Sequence, residues 1–302
     1  MAVGLAEARA GLLADLLVTN DLRGVSSHGT HQIAEYTRLM REGKLNTDPK
    51  VEVVKETPTS LLMDGDGGLG YFAAFEGTRR IIQKALDSGI AIMMSRNHGH
   101  FGAAGIYARM PLQHDMLTFV TSGHRLNLRP GRPLISAGGG SPMAFSAPAG
   151  EEEAPVLDFG AIHGLYGEEN LKLFTERAPG LVLRCIGMGE FCQTWGGLLA
   201  GLPIDADQPK WKYAGANQGS MVITFRVDLF MELAEFKAEM DEYVRRVRQL
   251  APLDGFDQAY MPGGIEAERV LEYRREGVPM GRRHQKDLEE MAQVLDLEVP
   301  WD

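Results

Sequence analysis

The stretch from residue 90 to residue 110 narrows most sharply what this chain can fold into. Residues 90–94 (Ile-Ala-Ile-Met-Met) are an apolar run of strand length, and residues 103–110 return to a helical pattern. Between them lies Asn97-His98-Gly99-His100-Phe101-Gly102, a loop of small residues and imidazoles. A strand that hands a glycine-bearing loop to a helix lets a backbone or a flat ligand come close. It also sets the imidazoles beside helix N-terminal amides, which favour negative charge on a ligand.

The rest of the pattern is helical at both ends and β-rich between. Residues 5–18 and 30–42 carry apolar positions at helical spacing, with Gly43 as a C-cap. Residues 51–55 alternate, and 60–63 form a short apolar run that ends in the turn Asp64-Gly65-Asp66-Gly67-Gly68. A helix over 71–87, a strand over 116–120 and a loop over 124–140 follow. The runs 141–148, 156–159, 181–185 and 221–227 suggest strands, and 189–199 a short buried helix. Amphipathic spacing predicts a helix over 229–250, stopped by Pro252, and two polar helices near 264–276 and 282–294. Three segments result: a helical one over 1–55, a β-rich one over 56–228 and a helical one over 229–302, expected to pack with the N-terminal helices. The long helix–strand alternation of doubly wound folds is missing, and no internal repeat occurs.

Composition excludes several partners. The net charge of −10 opposes sequence-independent binding to a phosphate backbone, which needs clustered Lys and Arg. No window has the length of apolar chain that a membrane span requires, and the N-terminus lacks a basic signal region. Cys185 and Cys192 offer neither a disulfide framework nor a CxxC pair and suit a reducing cytoplasm.

Three motifs bear on chemistry. Ser26 or Ser27 can cap a following helix on which His28, Gln32 and Tyr36, at i, i+4 and i+8, share one face. That face lines a cleft or is simply wet. In the histidine loop, His98 and His100 are acid/base candidates because imidazole titrates near neutrality, or else they are satisfied core residues. No third ligand stands at a metal-site spacing, so no metal is expected. The run Gly65-Asp66-Gly67-Gly68-Leu69-Gly70 lacks the Lys and Ser/Thr of a P-loop and does not fit a dinucleotide fingerprint, so it is expected to be a turn opening a helix.

Taken in order, the matches make the chain resemble the type-2 malate/L-lactate dehydrogenase family, with ureidoglycolate, sulfolactate and diketogulonate dehydrogenases among its members. They run through Asp21-Leu22-Arg23-Gly24-Val25-Ser26-Ser27-His28-Gly29, Tyr36, Gly43-Lys44-Leu45-Asn46, the Asp64–Gly70 turn and the NHGHFGAAG loop. They continue through Pro142-Met143-Ala144-Phe145, Asp158, residues 198–203, Asn217-Gln218-Gly219 and Pro262-Gly263. The resemblance implies an α/β, non-Rossmann fold, a mixed and largely antiparallel sheet flanked by helices, and a homodimer. It implies NAD or NADP as hydride carrier, His100 with His28 as catalytic residues, and Ser27, Gln32, Tyr36, His124 and Asn217 lining the substrate pocket. Asp158, Phe159 and Gly160 match the segment that contacts the dinucleotide.

The departures are as informative. Gln32 stands where the family carries an Arg that clamps a substrate carboxylate, and Gln cannot replace that bidentate contact. Asp158-Phe159-Gly160-Ala161-Ile162 lacks the family's hydroxyls, Ile186-Gly187-Met188-Gly189 lacks a lysine, and the connection from Asp158 to Ile186 is short. The expected function is therefore NAD(P)-dependent hydride transfer to or from a small 2-hydroxy or 2-oxo acid, or a related carbonyl compound, in the specialised metabolism of the cytoplasm. The alternative is a relative that has lost the nicotinamide, with no cofactor, and runs isomerase, lyase, cyclase or decarboxylase chemistry. A binding protein without catalysis is a third reading.

Overall fold

The computed structural model describes residues 1–204, 207, 210–299 and 301 of the 302-residue chain. Two helices, α1 (Glu7–Leu22) and α2 (Ile33–Arg41), precede a hairpin of β1 (Glu52–Glu56) and β2 (Ser60–Asp64). Helix α3 (Gly70–Ser88) then crosses to β3 (Ile90–His98), which lies parallel to β2. Next come α4 (Ala104–Arg109), β4 (Met116–His124), β5 (Pro142–Ser146), β6 (Val156–Gly160), α5 (Glu168–Arg177), α6 (Pro179–Cys192) and β7 (Gln218–Arg226). Helices α7 (Leu233–Arg248), α8 (Gly264–Glu276) and α9 (Arg282–Val294) complete the fold.

One seven-stranded sheet runs β1-β2-β3-β7-β4-β5-β6, and every pairing except β2–β3 is antiparallel. The expected mixed, largely antiparallel sheet flanked by helices is thus the observed one. The last strand in sequence, β7, is inserted between β3 and β4. Helix α3 buries Tyr71, Ala74, Thr78, Ile81 and Ala85, a helical stripe laid on the sheet. Gly77 lets it approach closely, since a Cβ there would sit 2.8 Å from Met93 Cγ.

Sequence reading misassigned one region. The apolar run 181–185, expected as a strand, lies inside α6, and α5 before it was not anticipated. Val182, Ile186 and Gly189 are buried at helical spacing while Leu181 and Leu183 stay exposed, so a five-residue apolar window concealed a 3.6-residue period. Pro179 at the first turn starts that helix, which runs without a break into a π-helical turn, Gln193–Leu198. The other shift is smaller: the helix expected over 30–42 begins as a 3-10 turn and becomes α-helical only at Ile33.

Candidate active site

The site gathers at one end of the sheet, where β3 and β4 finish and β7 begins. His98 and His124 both pair with Gln218, one on either side of β7. Two strand spacings set their backbones about 10 Å apart. The register of β3 slips between Ser95 and His98, where Asn97 adopts φ 53°. Asn tolerates that left-handed region, and its Nδ2 donates to Asp64 Oδ1 (2.7 Å), which pins the bulge.

The bulge gives the two loop histidines different fates. His98 is fully buried. Its Nδ1–H donates to Gly99 O (2.7 Å), so its Nε2 accepts from Ser95 Oγ (2.8 Å), which in turn meets Ser220 Oγ (2.6 Å). Burial pushes its pKa down to about 4, so it is a neutral core residue. Space there is tight: a Cβ on Gly70 would lie 2.6 Å from His98 Nδ1.

His100 is only partly covered and faces other titratable side chains. Its Nδ1 lies 2.5 Å from Tyr36 Oη, and Tyr36 Oη lies 3.3 Å from the buried Tyr71 Oη. His28 stacks at a tilt, with ring centroids 5.3 Å apart. Burial, then the neighbouring His28, His98 and His124, push the His100 pKa down to about 3. Burial also holds Tyr36 well above the ordinary phenol range, so it remains a hydroxyl. The pair of phenols can serve either tautomer of His100, because each hydroxyl both donates and accepts. No protein group among the described residues engages His100 Nε2.

The expected helix face is not how His28 and Tyr36 meet. His28 ends a 3-10 turn, Ser26–His28, and Gly29 is extended, so no continuous helix carries positions 28, 32 and 36. Neither Ser26 nor Ser27 caps a helix: no side-chain cap bond forms, and Ser27 Oγ instead pairs with His28 Nδ1 at 3.0 Å. Two buried side chains of α1 hold the segment. Asn20 Nδ2 donates to His28 O (2.9 Å), and Asp21 Oδ2 accepts from Thr30 N (2.9 Å) and Thr30 Oγ1 (2.7 Å). Gly29 is obligatory, since a Cβ there would fall 1.7 Å from Asp21 Oδ1. Gln32 turns back on the same segment and donates its Nε2 to Ser27 O (2.6 Å).

His124 lines a cavity of about 840 Å³ with Arg125, Arg132, Ile162 and Tyr166. Its backbone N–H donates to Gln193 Oε1 (2.9 Å) on the π-helical turn, and burial lowers the pKa of its ring. Asn217 lies beside it: its carbonyl accepts from Arg125 N (2.8 Å), and its half-buried side chain forms no hydrogen bond among the described residues. Asp158 is engaged elsewhere. Its Oδ2 accepts from Gly105 N (2.8 Å) at the first turn of α4, and burial raises its pKa despite Arg109 and Arg23 nearby. Phe159 packs with Met143 and Cys192, and Gly160 passes close to Gly140 O. The cavity wall starts beyond them, at Ile162.

Sequence reading overlooked several residues here. Tyr71 supports Tyr36, exposed His163 bears on His28, Arg125 and Arg132 line the cavity, and Gln193 accepts from the His124 backbone behind it. The Arg- and Gly-rich character of 124–140 was the available signal for the two arginines. Among the described residues no group of three or more His, Cys, Asp or Glu side chains is suited to holding a metal ion, and no helix is long and apolar enough to cross a membrane.

The chain is similar to several known proteins. The chain is 27% identical over 336 residues to malate dehydrogenase of Pyrococcus horikoshii, covering 98% of this chain and 91% of that one. It is 27% identical over 326 residues to L-sulfolactate dehydrogenase of Methanocaldococcus jannaschii (98% and 93% covered). It is 22% identical over 309 residues to ureidoglycolate dehydrogenase (NAD(+)) of Escherichia coli O157:H7 (91% and 86% covered). The solved malate dehydrogenase of Pyrococcus horikoshii OT3 superposes with a TM-score of 0.82 at 26% identity, covering 98% of this chain and 91% of that one. Residues 1–164 and 183–289 match the malate/L-lactate dehydrogenase family, and the chain belongs to that family of oxidoreductases.

Proposed function

We propose that the protein catalyses reversible hydride transfer between a nicotinamide cofactor and a small 2-hydroxy or 2-oxo acid, or a related carbonyl compound, with His100 as acid/base. One observation carries this reading. His100 Nδ1 is held at 2.5 Å by the neutral Tyr36 phenol, which leaves Nε2 as the imidazole's open valence beside His28. With the His100 pKa near 3, the ring is neutral at physiological pH, which is the base form. In the oxidative direction Nε2 accepts the substrate hydroxyl proton while Nδ1–H donates to Tyr36 Oη. In the reductive direction the proton returns to the new alkoxide, whose negative charge stabilises the imidazolium while it lasts. Ser27 and His28 bound one side of the substrate position, and His124 and Asn217 the other.

The residues present fit a nicotinamide dinucleotide. The cavity beside His124 is of nucleotide size, about 840 Å³, and combines apolar Ile162 and Leu165 with Tyr166 and cationic Arg125 and Arg132. When bound, the nicotinamide accepts or gives the hydride, and the protein supplies position and the proton. The ureidoglycolate dehydrogenase among the relatives carries NAD(+) in its name, which supports this class of cofactor. Homodimerisation is part of the same reading. Phe191 (66% exposed), Phe145 and Trp195 border a second, apolar cavity of about 680 Å³, a surface suited to a second copy of the chain.

The decisive experiment follows reduced-nicotinamide absorbance across a panel of 2-hydroxy acids with NAD(+) and NADP(+). Turnover of at least one pair, lost in His100→Ala, is the expected result. Substrate proton exchange without any nicotinamide would instead establish the non-redox alternative. Sedimentation equilibrium tests the dimer, and a mass of one 33.1 kDa chain at micromolar concentration overturns it.

A further inference from the structure

The cavity beside His124 holds cationic groups that the protein does not neutralise. Arg125 and Arg132 both line it, and neither guanidinium has an ion pair or a side-chain hydrogen bond among the described residues. Some exposed arginines elsewhere are paired, as Arg38 is with Glu35 and Glu42 and Arg246 with Glu242, whereas exposed Arg132 is not. Arg125 is half-buried, so part of its hydration is already lost without a partner in return. Glu168 is the one carboxylate in the described lining, and it stands exposed at the first turn of α5.

A third donor points the same way. Gln193 is 6% exposed, and its Oε1 accepts from His124 N, which fixes the orientation of the amide. That leaves Gln193 Nε2 buried without an acceptor. A Cβ on Gly139, which lines the cavity, would sit 2.0 Å from this nitrogen, so the glycine lets the amide pack directly behind the cavity wall. A buried donor left unsatisfied carries a desolvation penalty that an arriving acceptor removes.

We propose that Arg125 and Arg132, backed by Gln193 Nε2 behind Gly139, form an oxyanion-binding site that takes a carboxylate or a phosphate of the ligand entering this cavity. The proposal rests on the dehydrogenase reading for the identity of the ligand, a 2-oxo acid or a dinucleotide, but not for the existence of the site. It also accounts for Gln32. One Nε2–H of that residue is committed to Ser27 O, and a neutral amide cannot give an acid the charged, bidentate grip that a planar guanidinium on the opposite bank can. Part of the cavity wall, Tyr166 to Leu171, belongs to residues 165–182, which the family match leaves out. This bank is thus built partly from chain outside the family match.

Calorimetry on the full chain with oxalate, inorganic pyrophosphate, NADH and NADPH, at low and high salt, tests the proposal. Arg125→Gln with Arg132→Gln is expected to weaken at least one probe by about tenfold or more and to flatten its salt dependence, with Arg125→Lys intermediate. Loss confined to oxalate assigns a carboxylate. Loss confined to pyrophosphate and the dinucleotides assigns a phosphate. If the wild-type chain binds a dinucleotide and the double variant matches it within about twofold for every probe, the oxyanion site is overturned and the dehydrogenase reading stands. Arginine-dependent binding of oxalate or pyrophosphate, with no binding of either dinucleotide, keeps the site and overturns the nicotinamide reading. Failure to bind any of the probes overturns both. Should the double variant melt without cooperativity, phenylglyoxal labelling of wild-type Arg125 and Arg132 replaces it. Protection by the bound probe supports the site, and labelling unaffected by a bound probe refutes it.

Discussion

The end of β3 and the end of β4 flank the same residue, Gln218, yet they are built on opposite plans. At β3 the imidazoles are held by the protein itself. His98 is bonded through both ring nitrogens, and His100 is bonded through Nδ1 to a phenol that meets a second phenol. At β4 the polar groups are left open among the described residues, with unpaired guanidiniums at Arg125 and Arg132 and an unsatisfied amide nitrogen on Gln193. The difference has a physical meaning. A proton-transfer group must be held in place before substrate arrives, because misplacement costs rate steeply. A recognition group gains most when its partner is the ligand, because a prior partner in the protein would have to be displaced first.

This contrast can be broken most forcefully at His100. Replacing it with Ala is expected to lower kcat by about two to four powers of ten while leaving the melting temperature nearly unchanged. Comparable loss of activity and stability together would make it a structural residue like His98. The converse holds two positions away. His98→Ala removes a fully buried, doubly bonded ring and is expected to cost about 2–4 kcal/mol of stability in denaturant titration. An unperturbed midpoint would contradict its assignment to the core.

Stability against pH sharpens the same distinction. His98 and His100 titrate near 4 and 3 in the folded protein, below the value of about 6.5 for an unfolded chain. The unfolded state therefore binds more protons between these limits, and stability rises with pH across that window. The contribution is fully present above about pH 6.5 and is lost as pH falls towards 4 and 3. Thermal melts should show a falling Tm over this range, with a shallower slope in His98→Asn. An identical slope in the variant would remove His98 from the account. The smallest effect is expected of Tyr36→Phe, which deletes the hydroxyl on His100 Nδ1 without changing the packing. About a tenfold fall in kcat, with an altered pH profile and little change in KM, is the outcome that marks a positioning role.

How much was legible beforehand varies by region. Helices α8 and α9 and strand β7 were readable because their periodicity runs long enough to separate helix from strand. The histidine loop was readable for a different reason: imidazoles among glycines at a strand-to-helix junction point to chemistry on local grounds alone. The segment 181–185 was not, because a short apolar run satisfies both periods. His28 and Tyr36 were expected together for the wrong reason. They approach His100 through a 3-10 turn tethered by Asn20 and Asp21, a detour invisible to helical spacing. The arginines of the cavity could not be weighed from sequence, since being unpaired is a property of surroundings.

Residue order alone determined the main helices and strands, the loop that brings imidazole to a strand end, and the family to which the chain belongs. These depend on contacts a few residues apart, and on patterns that survive in any conformation. Tertiary structure alone decided that β7 enters between β3 and β4, that His98 is sealed while His100 stays open, and that Arg125 and Arg132 line one cavity without partners among the described residues, with Gln193 Nε2 buried behind it. Such outcomes depend on which distant groups remove water from which others, and that is settled only when the sheet closes around its last strand.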